Sequence, residues 1–148
     1  MKKTIALSLG LLGCAGVWLA PAPAWSAAAP ALSEVRVFKV ESANCTEAIP
    51  ERTTVTQMCA HRGPTQVYVM EVGLGNNPHA SLNGAELSGS RTAVCQVGSI
   101  SEACNGAGVL MGYIYRFDLN LQAGGTFQFS NSSINPPQNT LVATLSIR

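Results

Sequence analysis

The side chains best suited to moving protons are Glu71, His61 and His79: the chain's two histidines and a glutamate set in a strand-like run. Glu71 lies near the end of residues 66–73, QVYVMEVG, and a glycine-rich turn then leads to Asn76, Asn77 and His79. A carboxylate beside a loop imidazole is the raw material of general acid–base catalysis. One reading is therefore a small hydrolase using Glu71 with His79 or His61. The plainer reading places Glu71 at the solvent rim of a strand and the histidines in loops, where Asn76, Asn77, His79 and Arg62 form a candidate binding surface. It is preferred because the chain has one aspartate, Asp118, and no Gly-x-Ser-x-Gly elbow to present a nucleophile.

Cys45, Cys59, Cys95 and Cys104 follow an N-terminal segment that carries the fifth cysteine, Cys14. Four cysteines in an exported chain argue for two disulfides, with three possible connectivities. The intervening stretches, TEAIPERTTVTQM and QVGSISEA, are short and loop-like, which favours Cys45 with Cys59 and Cys95 with Cys104. Staples of this span each stabilise a fold by about 2–3 kcal/mol. A zinc site joining the cysteines to His61 is disfavoured, because Cys95 and Cys104 lie too far apart for paired ligands. An oxidising compartment would also tie up any cysteine nucleophile. Gly73, Leu74 and Gly75 begin like a dinucleotide loop, but Pro78 stands where the third glycine belongs and no βαβ pattern follows. No metal and no cofactor are expected.

Lys2 and Lys3 precede an uncharged run to Ala20, then Pro21, Pro23 and small residues through Ala29. These are the parts of a secretory signal peptide. Residues 1–28 are assigned to it, with cleavage between Ser26 and Ala29, and residues 29–148 to a single secreted domain. An extracellular location is expected, with the periplasm as the alternative. Leu11, Leu12, Gly13 and Cys14 also resemble a lipoprotein processing box, and lipidation of Cys14 would tether the product to a membrane. Losing Lys2 and Lys3 from nine basic residues leaves seven against eight acidic ones. A chain so nearly neutral is not expected to bind nucleic acid.

The elements that must position these side chains read as strands. In residues 109–121, VLMGYIYRFDLNL, every odd position is apolar, the period of a strand with one face on a core. Such a strand would extend over about 40 Å, so Gly112 is a predicted bend or bulge. Residues 35–42 form another strand, with Val35 and Val37 on one face and Phe38 and Val40 on the other. Residues 66–73, 92–97, 126–130 and 140–147 complete the set. Residues 44–64 read as a disulfide loop with an extended return through Thr53, Thr54 and Thr56. Residues 73–89 and 131–139 read as loops, and Ala123, Gly124 and Gly125 predict a hairpin joining 109–121 to 126–130. With no helix-length amphipathic segment, the pattern predicts an all-β domain: a small β-sandwich or partly open barrel of about six to eight strands, stapled by two disulfides.

The runs VRVFKVESANC, QVYVMEVGLG and FQFSNSSINPPQNTLVATLSIR resemble the YolA-like group of small secreted bacterial proteins, a family of unknown function. The resemblance implies secretion and a compact domain and supplies no catalytic residue. The expected function is that of a secreted, disulfide-stabilised binding protein for a protein or cell-surface ligand. Contact with a membrane would require lipidation of Cys14 or insertion of a 109–130 hairpin, as in a membrane-active toxin.

Overall fold

The computed structural model describes residues 30–148; the expected signal peptide and Cys14 lie outside the described residues. The described residues form ten strands: β1 (Glu34–Ser42), β2 (Cys45–Ala48), β3 (Gly63–Val72), β4 (His79–Leu82), β5 (Ala85–Leu87), β6 (Gly89–Val97), β7 (Ile100–Ala103), β8 (Val109–Leu121), β9 (Gly125–Ser132) and β10 (Thr140–Ile147). They build two antiparallel sheets, one ordered β2-β1-β3-β8-β6-β7 and the other β10-β9-β4-β5. The fold is therefore all-β, with a curled six-stranded sheet packed against a smaller one.

Alternation along the strands decides what fills the space between them. Val67 and Val69 of β3, Tyr115, Phe117, Leu119 and Leu121 of β8, Phe127 and Phe129 of β9, and Leu145 and Ile147 of β10 share one core. Phe129 contacts both Tyr115 and Phe117, with ring centroids 4.9 and 5.9 Å apart in tilted arrangements that aromatic pairs favour. From Tyr115 onward β8 alternates strictly between buried and exposed, as its pattern predicts, whereas Val109 at its start is exposed.

Bulges alter which side chains face inward. Val37 pairs with Val69 and Lys39 with Tyr68, so Phe38 is an extra residue, and Val37 and Val40 both point into the core rather than to opposite faces. In the β6–β8 ladder the extra residue is Met111, next to the predicted Gly112. Gly112 itself is needed for close approach, since a Cβ there would lie 1.9 Å from the Glu71 carbonyl oxygen of β3.

Three local expectations are corrected. Residues 73–89 are not a loop, because β4 and β5 form a hairpin turned by Asn83 and Gly84, both at positive φ as an Asn-Gly turn requires. The Cys95–Cys104 interval likewise contains a hairpin, with Val97 paired to Ile100. The 109–130 hairpin does not exist: β8 lies between β3 and β6, whereas β9 lies between β10 and β4 in the other sheet. Ala123 to Gly125 is a sheet-switching corner, which removes the unit on which the toxin reading depended.

Residues 49–62 cross the end of the sandwich as irregular chain. Instead of a return strand, Val55 makes a single parallel bridge to Ser146. Thr54 O accepts from Ser146 N at 2.7 Å and Thr56 N donates to Ser146 O at 3.0 Å, anchoring the crossing to β10. Cys45–Cys59 fastens it to β2, and Cys95–Cys104 lies at the β6–β7 edge. Both staples follow the local pairing.

Candidate functional site

The first polar cluster surrounds the Cys45–Cys59 staple. Glu47 pairs with Val40 across β1 and β2 and so faces the same interior as that core valine. The disulfide brings residues 57–61 over this face. Gln57 N then donates to Glu47 Oε1 at 2.7 Å and Met58 N to Oε2 at 3.2 Å. His61 is fully buried beside them, with Nε2 3.4 Å from Glu47 Oε2 and Nδ1 3.0 Å from Ser42 Oγ. A carboxylate oxygen can only accept, so Nε2–H facing Glu47 leaves Nδ1 as an acceptor toward Ser42 Oγ, whose hydroxyl also lies 3.4 Å from the Cys45 carbonyl oxygen as a donor. Ser42, half-buried at the end of β1, lines an open cleft of about 340 Å³ with Glu41, Pro64, Thr65, Gln66 and Asp118.

Burial alone would raise the Glu47 carboxyl, but the backbone donors Gln57 and Met58 and the His61 ring outweigh it and hold the group below the usual carboxylate range. A depressed folded value means that the ionised carboxylate stabilises the fold above about pH 4.5, and that this contribution is lost as pH falls through the folded value. The melting temperature is therefore expected to drop on acidification below about pH 4.5. Glu47→Gln should flatten that part of the profile, which a pair of thermal titrations measures. An acid limb of the same slope in the variant would reject the assignment.

Cys45 Sγ, Cys59 Sγ and a His61 ring nitrogen lie within 4.8 Å of one another. The two sulfurs are joined as a disulfide, however, and offer no thiolate to an ion.

The second cluster surrounds Glu71. It shares the inward face of β3 with Val67 and Val69, and it is buried rather than at the solvent rim. Asn131 Nδ2 of β9 donates to Glu71 Oε2 at 2.6 Å, and Gly75 N donates to Oε1 at 3.2 Å. Asn131 Oδ1 in turn accepts from Asn77 N at 2.8 Å and Ser132 N at 2.9 Å. A carboxylate in one sheet and an amide in the other thus fix the 73–77 loop between them. The Tyr115 hydroxyl is buried nearby; desolvation first, and then the Glu71 charge, push it up to about 12. It stays protonated at neutral pH and is no base.

The proposed acid–base partners meet different groups. His61 meets Glu47 and Ser42, whereas exposed His79 has Nδ1 3.6 Å from Glu86 Oε1 across the β4–β5 hairpin. Neither histidine hydrogen-bonds Glu71, whose partners are Asn131 and Gly75. Asn76, Asn77 and His79 are exposed around the 73–79 turn; Arg62 is exposed beside the first staple.

The outer face of the six-stranded sheet carries a feature that the strand readings did not single out. Met70 pairs with Ile114, and Val72 and Val94 both pair with Gly112. Beside Gly112 lies a groove of about 250 Å³, walled mainly by Met70, Val72, Val94, Met111 and Ile114, with Glu71 and Ser101 also in its lining. The same outer face carries ion pairs between residues two apart: Glu34 with Arg36 at 2.7 Å, Lys39 with Glu41 at 3.0 Å and Arg116 with Asp118 at 3.5 Å. Lys39 Nζ also lies 3.9 Å from the centre of the Tyr68 ring. Residues two apart in a strand share a face, so the paired charges leave the outer face beside the groove with little net charge.

No curated protein and no solved structure matches the chain. A family model described as a domain of unknown function, DUF4879, matches residues 21–147, and the chain belongs to that family.

Proposed function

We propose that the mature protein is secreted and binds a protein partner through the outer face of its six-stranded sheet. The observation that carries this reading is the apolar groove at Gly112. Contiguous apolar surface rimmed by polar groups is the composition of protein interfaces, in which a few buried anchors supply most of the affinity. The balanced charges on this face favour a protein over nucleic acid or an anionic membrane, both of which select for excess positive charge. Two disulfides support an extracellular setting.

The test is capture of partners by the purified mature protein from the native secretome and envelope, with Met70→Glu and Ile114→Glu as groove variants. Both positions are partly exposed, so the variants are expected to fold, and near-unchanged melting curves check this. Each should weaken capture about thirtyfold, the loss expected when an anchor contributing about 2 kcal/mol is removed. Equal capture by wild type and both folded variants would reject the groove as the binding surface. Intact mass would place the N-terminus and verify four fewer hydrogens than the reduced chain.

A further inference from the structure

Ser42, His61 and Glu47 form a proton relay that the binding reading leaves unused. Ser42 Oγ is 3.0 Å from His61 Nδ1, and His61 Nε2 is 3.4 Å from Glu47 Oε2. Two backbone N–H groups, from Gln57 and Met58, fix the carboxylate in turn. Glu47 and His61 have almost no exposed surface, while Ser42 lines an open cleft at the sheet's end. Activation of a hydroxyl requires an adjacent base that is itself oriented by a third group. We propose that Ser42 is a nucleophile toward activated acyl groups, with His61 as its general base and Glu47 as the positioning residue.

In the step, Oγ attacks the carbonyl carbon of an ester while its proton passes to His61 Nδ1. The Oγ–C bond forms and the bond from carbon to the leaving oxygen breaks. The departing aryl oxygen takes that proton back from His61 Nδ1 and leaves as the phenol, which ionises in bulk solvent. Glu41 and Asp118 line the cleft, and Gln66 Nε2 donates to Asp118 Oδ1 at 2.8 Å. Lys39 and Arg116 pair with these two carboxylates, so the entrance carries little net charge and suits neutral acyl donors. The complete burial of His61 shields its ring from water, so the acyl-serine should persist rather than turn over rapidly.

The experiment treats the mature protein with p-nitrophenyl acetate and, separately, with an alkyl fluorophosphonate, whose fluoride Oγ displaces. The expected result is one equivalent of adduct mapped by peptide mass to Ser42, with a single burst of p-nitrophenolate. Ser42→Ala should abolish the burst, and Glu47→Gln should slow it at least tenfold. Glu47→Asp, which keeps a carboxylate, should retain more of the burst rate than Glu47→Gln. Peptide mapping of wild-type protein needs no variant to fold. No adduct, adduct scattered over exposed serines, or a burst unchanged in Ser42→Ala would overturn the proposal.

Discussion

Replacing Asn131 with alanine is expected to destabilise the protein by about 3 kcal/mol, more than any surface substitution, because it strands a buried charge. Asn131 and Glu71 are almost completely buried and belong to different sheets. The amide is the donor at 2.6 Å to one carboxylate oxygen and the acceptor for the N–H groups of Asn77 and Ser132. Its removal leaves three polar groups short of a partner, and one of them, the Glu71 carboxylate, is almost completely buried. Urea unfolding of the wild type, Asn131→Ala, Glu71→Leu and the double variant forms the required cycle. The double variant should be less damaged than the sum of the singles, since removing both partners leaves no buried charge. A loss below 1 kcal/mol in Asn131→Ala, or strict additivity, would mean that the pair does not hold the sheets together.

The fate of individual residues shows what could be read from the chain. β8 and β10 are visible in sequence because each has one face on the core and the other largely in water, so alternation alone marks them. β3 shows the same period, which puts Glu71 on the face of Val67 and Val69. Its partner Asn131 lies 60 positions away, and no local pattern announces such a pairing. Polarity therefore argued for the rim while the topology required burial. The β8–β9 corner misleads for a related reason, since a glycine pair between two strands signals a reversal without saying whether the strands stay in one sheet. The β4–β5 hairpin had an explicit signal in Asn83 and Gly84, flanked by short apolar segments.

The relay at the first staple was half visible. Glu47 stands two residues after Cys45, and His61 two after Cys59. Once those cysteines are joined, both side chains are carried to the same side of the crosslink. The pairing of the cysteines could be inferred from their spacing, but the serine that completes the array comes from β1. It reaches the site through the two-residue turn at Ala43 and Asn44, which pairs Ser42 with Cys45. Chemistry at this corner thus follows from a hairpin and a disulfide acting together.

Gly112→Ala is the second substitution with a large expected effect, because it tests the packing of β3 on β8 and the groove at once. A methyl group at this position would sit 1.9 Å from the Glu71 carbonyl oxygen and 2.9 Å from its carbon. These atoms belong to the central backbone pairing and have no rotamer through which to yield. β3 and β8 must separate locally, and overpacking of this kind costs about 3 kcal/mol. The same displacement moves Val72, whose pairing with Gly112 helps to shape the groove. Gly112→Ala is therefore expected to lower both the denaturant midpoint and partner capture, whereas Met70→Glu lowers capture alone. Full stability in Gly112→Ala would show that the two strands have slack at their closest approach. Capture that followed stability in every variant, Met70→Glu included, would mean that partners recognise the folded domain elsewhere; only the dissociation of the two measurements at Met70 locates recognition in the groove.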